Sequence, residues 1–137
     1  MEFTKVKYAV DERVAIISMD SPANMNAFDE VMLDDLVAAI GMADADANVK
    51  AILINSTNTN AFSAGGDVKA MYDGIMNNSK EAFVAEFGKS IGKMANVTKA
   101  ILTSPKPVVG AVQGACAQAS VLLLLVTTPW LLRLLYL

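Results

Sequence analysis

Two short apolar runs, Ala51-Ile52-Leu53-Ile54 and Val108 to Val112, constrain this chain more than any other feature. Each is too short for a buried helix and suits a buried strand. Before the first, Met32, Leu33, Leu36, Val37 and Ile40 recur at helical spacing, with Asp29 in position to cap them. Between the two runs, Val68, Met71, Tyr72, Ile75 and Met76 share one helical face. Phe83, Phe87, Ile91, Met94, Thr98 and Ile101 form a second stripe, which Ser79 can cap. Strands separated by helices predict an α/β fold whose parallel strands are joined by helical crossovers. Tyr8 to Val10 and Val14 to Met19 predict a hairpin around Asp11-Glu12-Arg13, and Ser21-Pro22-Ala23-Asn24 breaks the chain. Gly41 is expected to weaken the first helix near its end. Ser56 to Asn60 reads as a polar loop, Pro105 and Pro107 stop the last helix, and Gly114 ends the strand that follows.

Composition narrows the function. A length of 137 residues has room for one domain. Eleven basic against 14 acidic residues give a net charge of −3, with no Lys/Arg cluster, so no nucleic-acid partner is expected. The chain has no histidine, which excludes His-dependent triads, His zinc sites and imidazole bases, and no metal site is expected. Cys116, the one cysteine, allows no internal disulfide and fits a reducing compartment. The opening Met1-Glu2-Phe3-Thr4-Lys5 carries no basic-then-apolar signal pattern, so a cytoplasmic location is expected. On the same ground, Asn-x-Ser/Thr triplets such as Asn96-Val97-Thr98 read as chance rather than glycosylation sites.

Two segments can carry chemistry. Ala64-Gly65-Gly66-Asp67 sits between a strand and a helix, where glycines let backbone approach a ligand and the first N–H groups of the helix point outward, unpaired. Such a site holds a phosphate or a developing oxyanion. Taken alone, the spacing favours a tight turn with Asp67 capping the helix. It is neither a Walker loop, since no Gly-Lys-Ser/Thr follows, nor a dinucleotide fingerprint, since the third glycine is missing. The second segment, Ser104 to Cys116, runs a strand into a turn of small residues and alone suits a packing turn. Ser63 has no histidine to activate it, Cys116 suits packing, and Glu81 and Glu86 read as solvated helix charges.

Together the two segments are more specific. Phe62-Ser63-Ala64-Gly65-Gly66-Asp67-Val68-Lys69-Ala70-Met71 resembles the signature loop of the crotonase, or enoyl-CoA hydratase/isomerase, family. Lys106-Pro107-Val108-Val109-Gly110-Ala111-Val112-Gln113-Gly114 resembles that family's following strand, and Asp20-Ser21-Pro22 with Asn26-Ala27-Phe28 resembles its opening. The resemblance covers residues 1–120, with motifs in matching order. It implies a partial crotonase (ClpP/crotonase-like) spiral of ββα units, with homotrimers or hexamers expected for full-length members. It implies acyl-CoA or acyl-ACP thioesters as substrates, with coenzyme A as part of the substrate and no separate cofactor. The chemistry would run through a thioester enolate held by two backbone N–H groups, falling on Gly66 and about Ala119. Ala64, Gly65, Gly66, Asp67 and Val68 would bind the coenzyme through main-chain atoms, and Met25, Asn26 and Ala27 would line the same groove.

The chain departs from the family pattern near its end. The family's first catalytic glutamate falls on Leu122, and the second falls beyond Leu137. No acid or base is nominated, and the chain is expected to be truncated and inactive by itself. Residues 1–120 contain four leucines and residues 121–137 contain nine, so the segment from Val121 reads as an atypical Leu-rich tail. A membrane span is not expected, because Pro129 and Arg133 interrupt a stretch already short for one. The favoured reading of this tail is a slipped reading frame near codon 120, ahead of a buried core helix that Pro129 would interrupt. In the frame taking the last base of each codon with the first two of the next, Leu125-Val126-Thr127 can yield Cys-Asp. Pro129 to Arg133 can then yield Met-Ala-Ala-Glu, which the family carries here. The alternative is a non-catalytic crotonase-like fragment whose hydrophobic tail binds a membrane or partner.

Overall fold

Strand β1 (Val6–Asp11) turns through Glu12, which takes a φ of +51°, into strand β2 (Val14–Met19), and the two pair antiparallel from Val6–Met19 to Asp11–Val14. This computed structural model describes residues 2–117. A single 3-10 turn at Pro22–Asn24 leads to helix α1 (Glu30–Ala45), whose first turn is capped by the Asp29 carboxylate accepting from the Met32 N–H. Strand β3 (Ala51–Ser56) returns parallel to β2. Strand β4 (Ala61–Ser63), helices α2 (Val68–Asn77) and α3 (Lys80–Thr103), strand β5 (Val108–Gly110) and strand β6 (Ala115–Cys116) follow. The main sheet has the order β1-β2-β3-β5, while β4 and β6 pair in a second, two-stranded sheet. The chain thus passes twice from the first sheet to the second, β3 to β4 and β5 to β6, with helices between the passes. Both sets of crossover strands run parallel.

The core lies between α1 and one face of the main sheet. Ala15, Ile17, Met19, Ile52 and Ile54 point inward from the sheet, and Met32, Leu36, Ala39, Ile40 and Ala43 come from α1; all are fully buried. Each large apolar side chain moved out of water here contributes about 1.5–3 kcal/mol. From α3, Val97 and Ile101 join this core. Ser104 closes α3 and donates its hydroxyl to Asp44 on α1, while the Lys106 ammonium donates to the Ala43 and Asp46 carbonyls at the end of α1. A cation there answers the carbonyls that no longer have a helical partner.

The structure refines the sequence reading at four points. Gly41 lies near the end of helix α1, which runs four residues past it, to Ala45. Burial of Ile40 and Ala43 on either side outweighs the roughly 1 kcal/mol that a helical glycine costs. Strand β5 spans Val108–Gly110 rather than reaching Val112. The Ala111 N–H still donates to Ile54, but the Gln113 side chain then draws the chain toward the Ser56 and Asn58 carbonyls. The apolar run in β3 is not buried on both faces: Ile52, Ile54 and Ser56 are buried, while Ala51, Leu53 and Asn55 on the other face are half-buried. Finally, the two helical stripes are only partly packed. Nothing in α2 is buried, and α3 buries only Val97 and Ile101 near its end.

Candidate active site

The loop after β4 is held from beneath by Asn26. This residue is fully buried and takes a φ of +54°, a left-handed conformation that asparagine tolerates better than most residues. Its amide donates to the Ser56 hydroxyl (2.7 Å) and the Phe62 carbonyl (3.0 Å), and its side-chain oxygen accepts from the Ser21 N–H (2.7 Å). Its own carbonyl accepts from the Ser63 hydroxyl at 2.7 Å. Met25 beside it is also left-handed, at φ +54°, which costs a non-glycine residue about 1 kcal/mol or more. The surrounding bonds hold it there, including one from the Ala64 N–H to the Met25 carbonyl (2.9 Å). Ser63, expected to be structural, also accepts from the Gly65 N–H at 3.0 Å.

Gly65 and Gly66 then turn the chain into α2. Gly65 has a φ of +84°, so a side chain there would be strained, and its carbonyl accepts from the Phe28 N–H at 2.7 Å. The Asp67 carboxylate accepts from the Ala70 N–H, as an N-cap does. Among the described residues the Gly66 N–H has no acceptor. It lies at the positive end of α2, with the first amides of that helix next in sequence. Beside this loop, β4 and β6 run parallel, Ser63 opposite Cys116, and the Ala117 N–H donates to the Ser63 carbonyl. The Gly66 turn and the chain leaving β6 therefore stand at the same, carboxyl end of paired strands. Gly114, at φ +66°, permits that approach: a β-carbon there would sit 2.2 Å from the Asn60 carbonyl oxygen.

An apolar groove opens from this turn between α2, α3 and the start of α1. It consists of two adjoining hollows of about 190 Å³ each, which share Phe28, Met71, Phe87 and Ser90. The hollow that reaches Gly66, the inner of the two counted from the turn, is lined also by Leu33, Ile91 and Met94. The outer one runs past Phe83, whose ring stacks on Phe87 with centroids 5.7 Å apart. On its rim Lys93 joins α3 to α1, bridging Glu30 (3.2 Å) and Asp34 (2.5 Å); the Asp34 bond, against some desolvation, holds the ammonium above the usual lysine range.

Of the residues singled out in the sequence, Ala64, Gly65, Gly66, Asp67 and Val68 form this turn and the first residue of α2. Met25 is half exposed, whereas Asn26 and Ala27 are buried, and Asn26 turns its side chain inward to hold the loop. Ala119, Leu122 and the tail from Val121 lie outside the described residues. The groove residues were visible as apolar stripes, but periodicity alone did not separate a groove from a core. Among the described residues no group of His, Cys, Asp and Glu could hold a metal, and no helix is long and apolar enough to cross a membrane.

A family profile described as enoyl-CoA hydratase/isomerase matches residues 9–128. The chain belongs to that family. A trans-2-decenoyl-[acyl-carrier-protein] isomerase of Streptococcus mutans is 32% identical over 126 residues, 88% of this chain and 46% of that protein. A probable enoyl-CoA hydratase of Mycobacterium bovis is 32% identical over 97 residues, 71% of this chain and 36% of that protein. The crystal structure of an enoyl-CoA hydratase/isomerase from Xanthobacter autotrophicus Py2 superposes with a TM-score of 0.77 at 30% identity, over 89% of this chain and 43% of that one. The chain thus spans under half the length of these relatives, and its fold is a partial crotonase spiral.

Proposed function

We propose that this chain supplies the thioester-binding half of an enoyl-CoA hydratase/isomerase-type site. The substrate is an acyl-CoA or acyl-ACP thioester, whose carbonyl oxygen accepts from the Gly66 N–H. The acyl tail enters the groove past Phe28 and Met71. The second donor falls about Ala119, and the backbone of Ala64 to Val68 faces the coenzyme. Met25 lines the approach, while Asn26 and Ala27 act by holding the loop. The reading is carried by one observation: an amide without an acceptor, at the head of a helix, opening on an apolar groove. As the α-carbon loses a proton or the β-carbon is attacked, the thioester oxygen gains charge, and a fixed donor stabilises that charge more than it does the ground-state carbonyl. Leu122 stands where the family places its first glutamate and no residue is nominated as acid or base, so the chain on its own is expected to bind thioesters without turning them over.

Calorimetric titration of the chain with a saturated acyl-CoA tests the reading. Binding should be saturable, and Gly66→Pro should weaken it while leaving the circular dichroism spectrum intact. In a version extended to the length of the relatives, the same change should lower turnover roughly a hundredfold. Undiminished turnover in a folded Gly66→Pro protein would remove this amide from the mechanism.

A further inference from the structure

We propose that the groove between α2 and α3 selects acyl tails that carry no charge and rejects tails ending in a carboxylate, and that the selection turns on Phe87. The inference rests on the thioester reading and names which acyl groups that site takes. Both hollows are floored by apolar side chains, and Phe87 is common to the two. Every charged residue among their lining is acidic: Asp29, Glu30, Asp67 and Glu86, all around the outer hollow. The lysines paired with three of these, Lys5 with Asp29, Lys93 with Glu30 and Lys89 with Glu86, do not themselves line either hollow. Asp67 is engaged with the Ala70 N–H instead.

A tail of methylenes entering from Gly66 runs between Phe28, Met71 and Phe87. Each methylene removed from water strengthens binding by roughly fourfold. A terminal carboxylate taken along the same path loses its hydration and meets the acidic residues of the rim, where the Lys93 ammonium is already held by Glu30 and Asp34. Its unfavourable transfer cancels what the methylenes gain. Phe87 stands where the two hollows meet, stacked on Phe83, so a cation at its position would give an incoming carboxylate a partner.

The test is calorimetric binding to the full chain of four ligands: coenzyme A, hexanoyl-CoA, decanoyl-CoA and the mono-coenzyme A thioester of decanedioic acid. Decanoyl-CoA should bind at least tenfold more tightly than coenzyme A, with hexanoyl-CoA between them, and the ω-carboxyl thioester no more tightly than coenzyme A. In Phe87→Lys the order of the two ten-carbon ligands should reverse. Glu86→Lys, on the exposed rim, should narrow their gap in the same direction and serves if Phe87→Lys does not fold. Equal binding of decanoyl-CoA and coenzyme A would overturn the proposal while leaving a main-chain coenzyme site standing. Equal binding of the two ten-carbon thioesters would overturn the charge selection alone. Absence of binding by all four ligands would overturn the thioester reading together with the proposal.

Discussion

Helix α1 and helix α2 read alike in the sequence, each an apolar stripe behind an aspartate cap, yet they end in opposite environments. The stripe of α1 is sealed between the main sheet and the end of α3, with Met32, Leu36 and Ile40 fully buried. The stripe of α2 is left open: Val68, Tyr72, Ile75 and Met76 are all more than half exposed. The two halves of α3 repeat the contrast, since Val97 and Ile101 are buried while Val84 and Ile91 are exposed. Stability therefore resides in the β1-β2-β3-β5 sheet and α1. The Gly66 turn and the groove sit where apolar surface has been left uncovered for something else to contact. The proposed acyl-tail site requires such surface, and elements with few buried contacts are also the ones that move most easily.

Paired substitutions break this comparison most sharply. Ile54→Ala, in the sealed layer, should destabilise the chain by about 2–5 kcal/mol in urea unfolding. Ile75→Ala, on the open stripe, should change stability by no more than about 0.5 kcal/mol. Equal effects would mean that α2 is packed as α1 is.

Asn26 is where the two regions meet, and Asn26→Ala should cost about 2–3 kcal/mol. It would leave the Ser21 N–H and the Phe62 carbonyl without their partner. Amide exchange at Gly65 should accelerate in that variant more than exchange in β2, because the loop loses its support first. Ser79→Ala removes the N-cap of α3 and should cost about 1 kcal/mol or less, appearing mainly as faster exchange in the first turns of the helix.

The smallest expected effect is electrostatic. The Asp20 carboxylate is held below its usual range by hydrogen bonds from Lys7 and Thr57. Its folded value lies below the unfolded one, so its stabilisation is complete above the ordinary value of 3.8 and is lost as pH falls through the folded value. Asp20→Asn should lower the neutral plateau slightly and flatten the fall in stability below about pH 4, so that the two proteins converge in acid.

Much of the fold was legible because its signals are local. The β1–β2 hairpin, the caps at Asp29, Asp67 and Ser79, and the stop at Pro105 each follow from residues adjacent in sequence. Strand β6 was not legible: Ala115-Cys116 has no pattern of its own and becomes a strand only by pairing with β4, more than fifty residues earlier. The uncovered stripes were missed for a different reason. Periodicity reports that a face is apolar and is silent on what lies against it, so Phe87 in a groove and Leu36 in a core carry the same signal. At the site, the Gly65-Gly66 turn was readable from its glycines. The support beneath it was not, since nothing around Asn26 in the sequence reveals that it bonds Ser21, Ser56 and Phe62.

The most direct test follows the backbone amides of the 15N-labelled chain by NMR while an acyl-CoA is added. Saturable shifts at Gly65, Gly66 and Asp67, accompanied by methyl shifts at Met71 and Met94 and none at Ile54, are the predicted result. Binding that shifts residues elsewhere and leaves the Gly66 amide and the groove methionines unmoved would contradict the account.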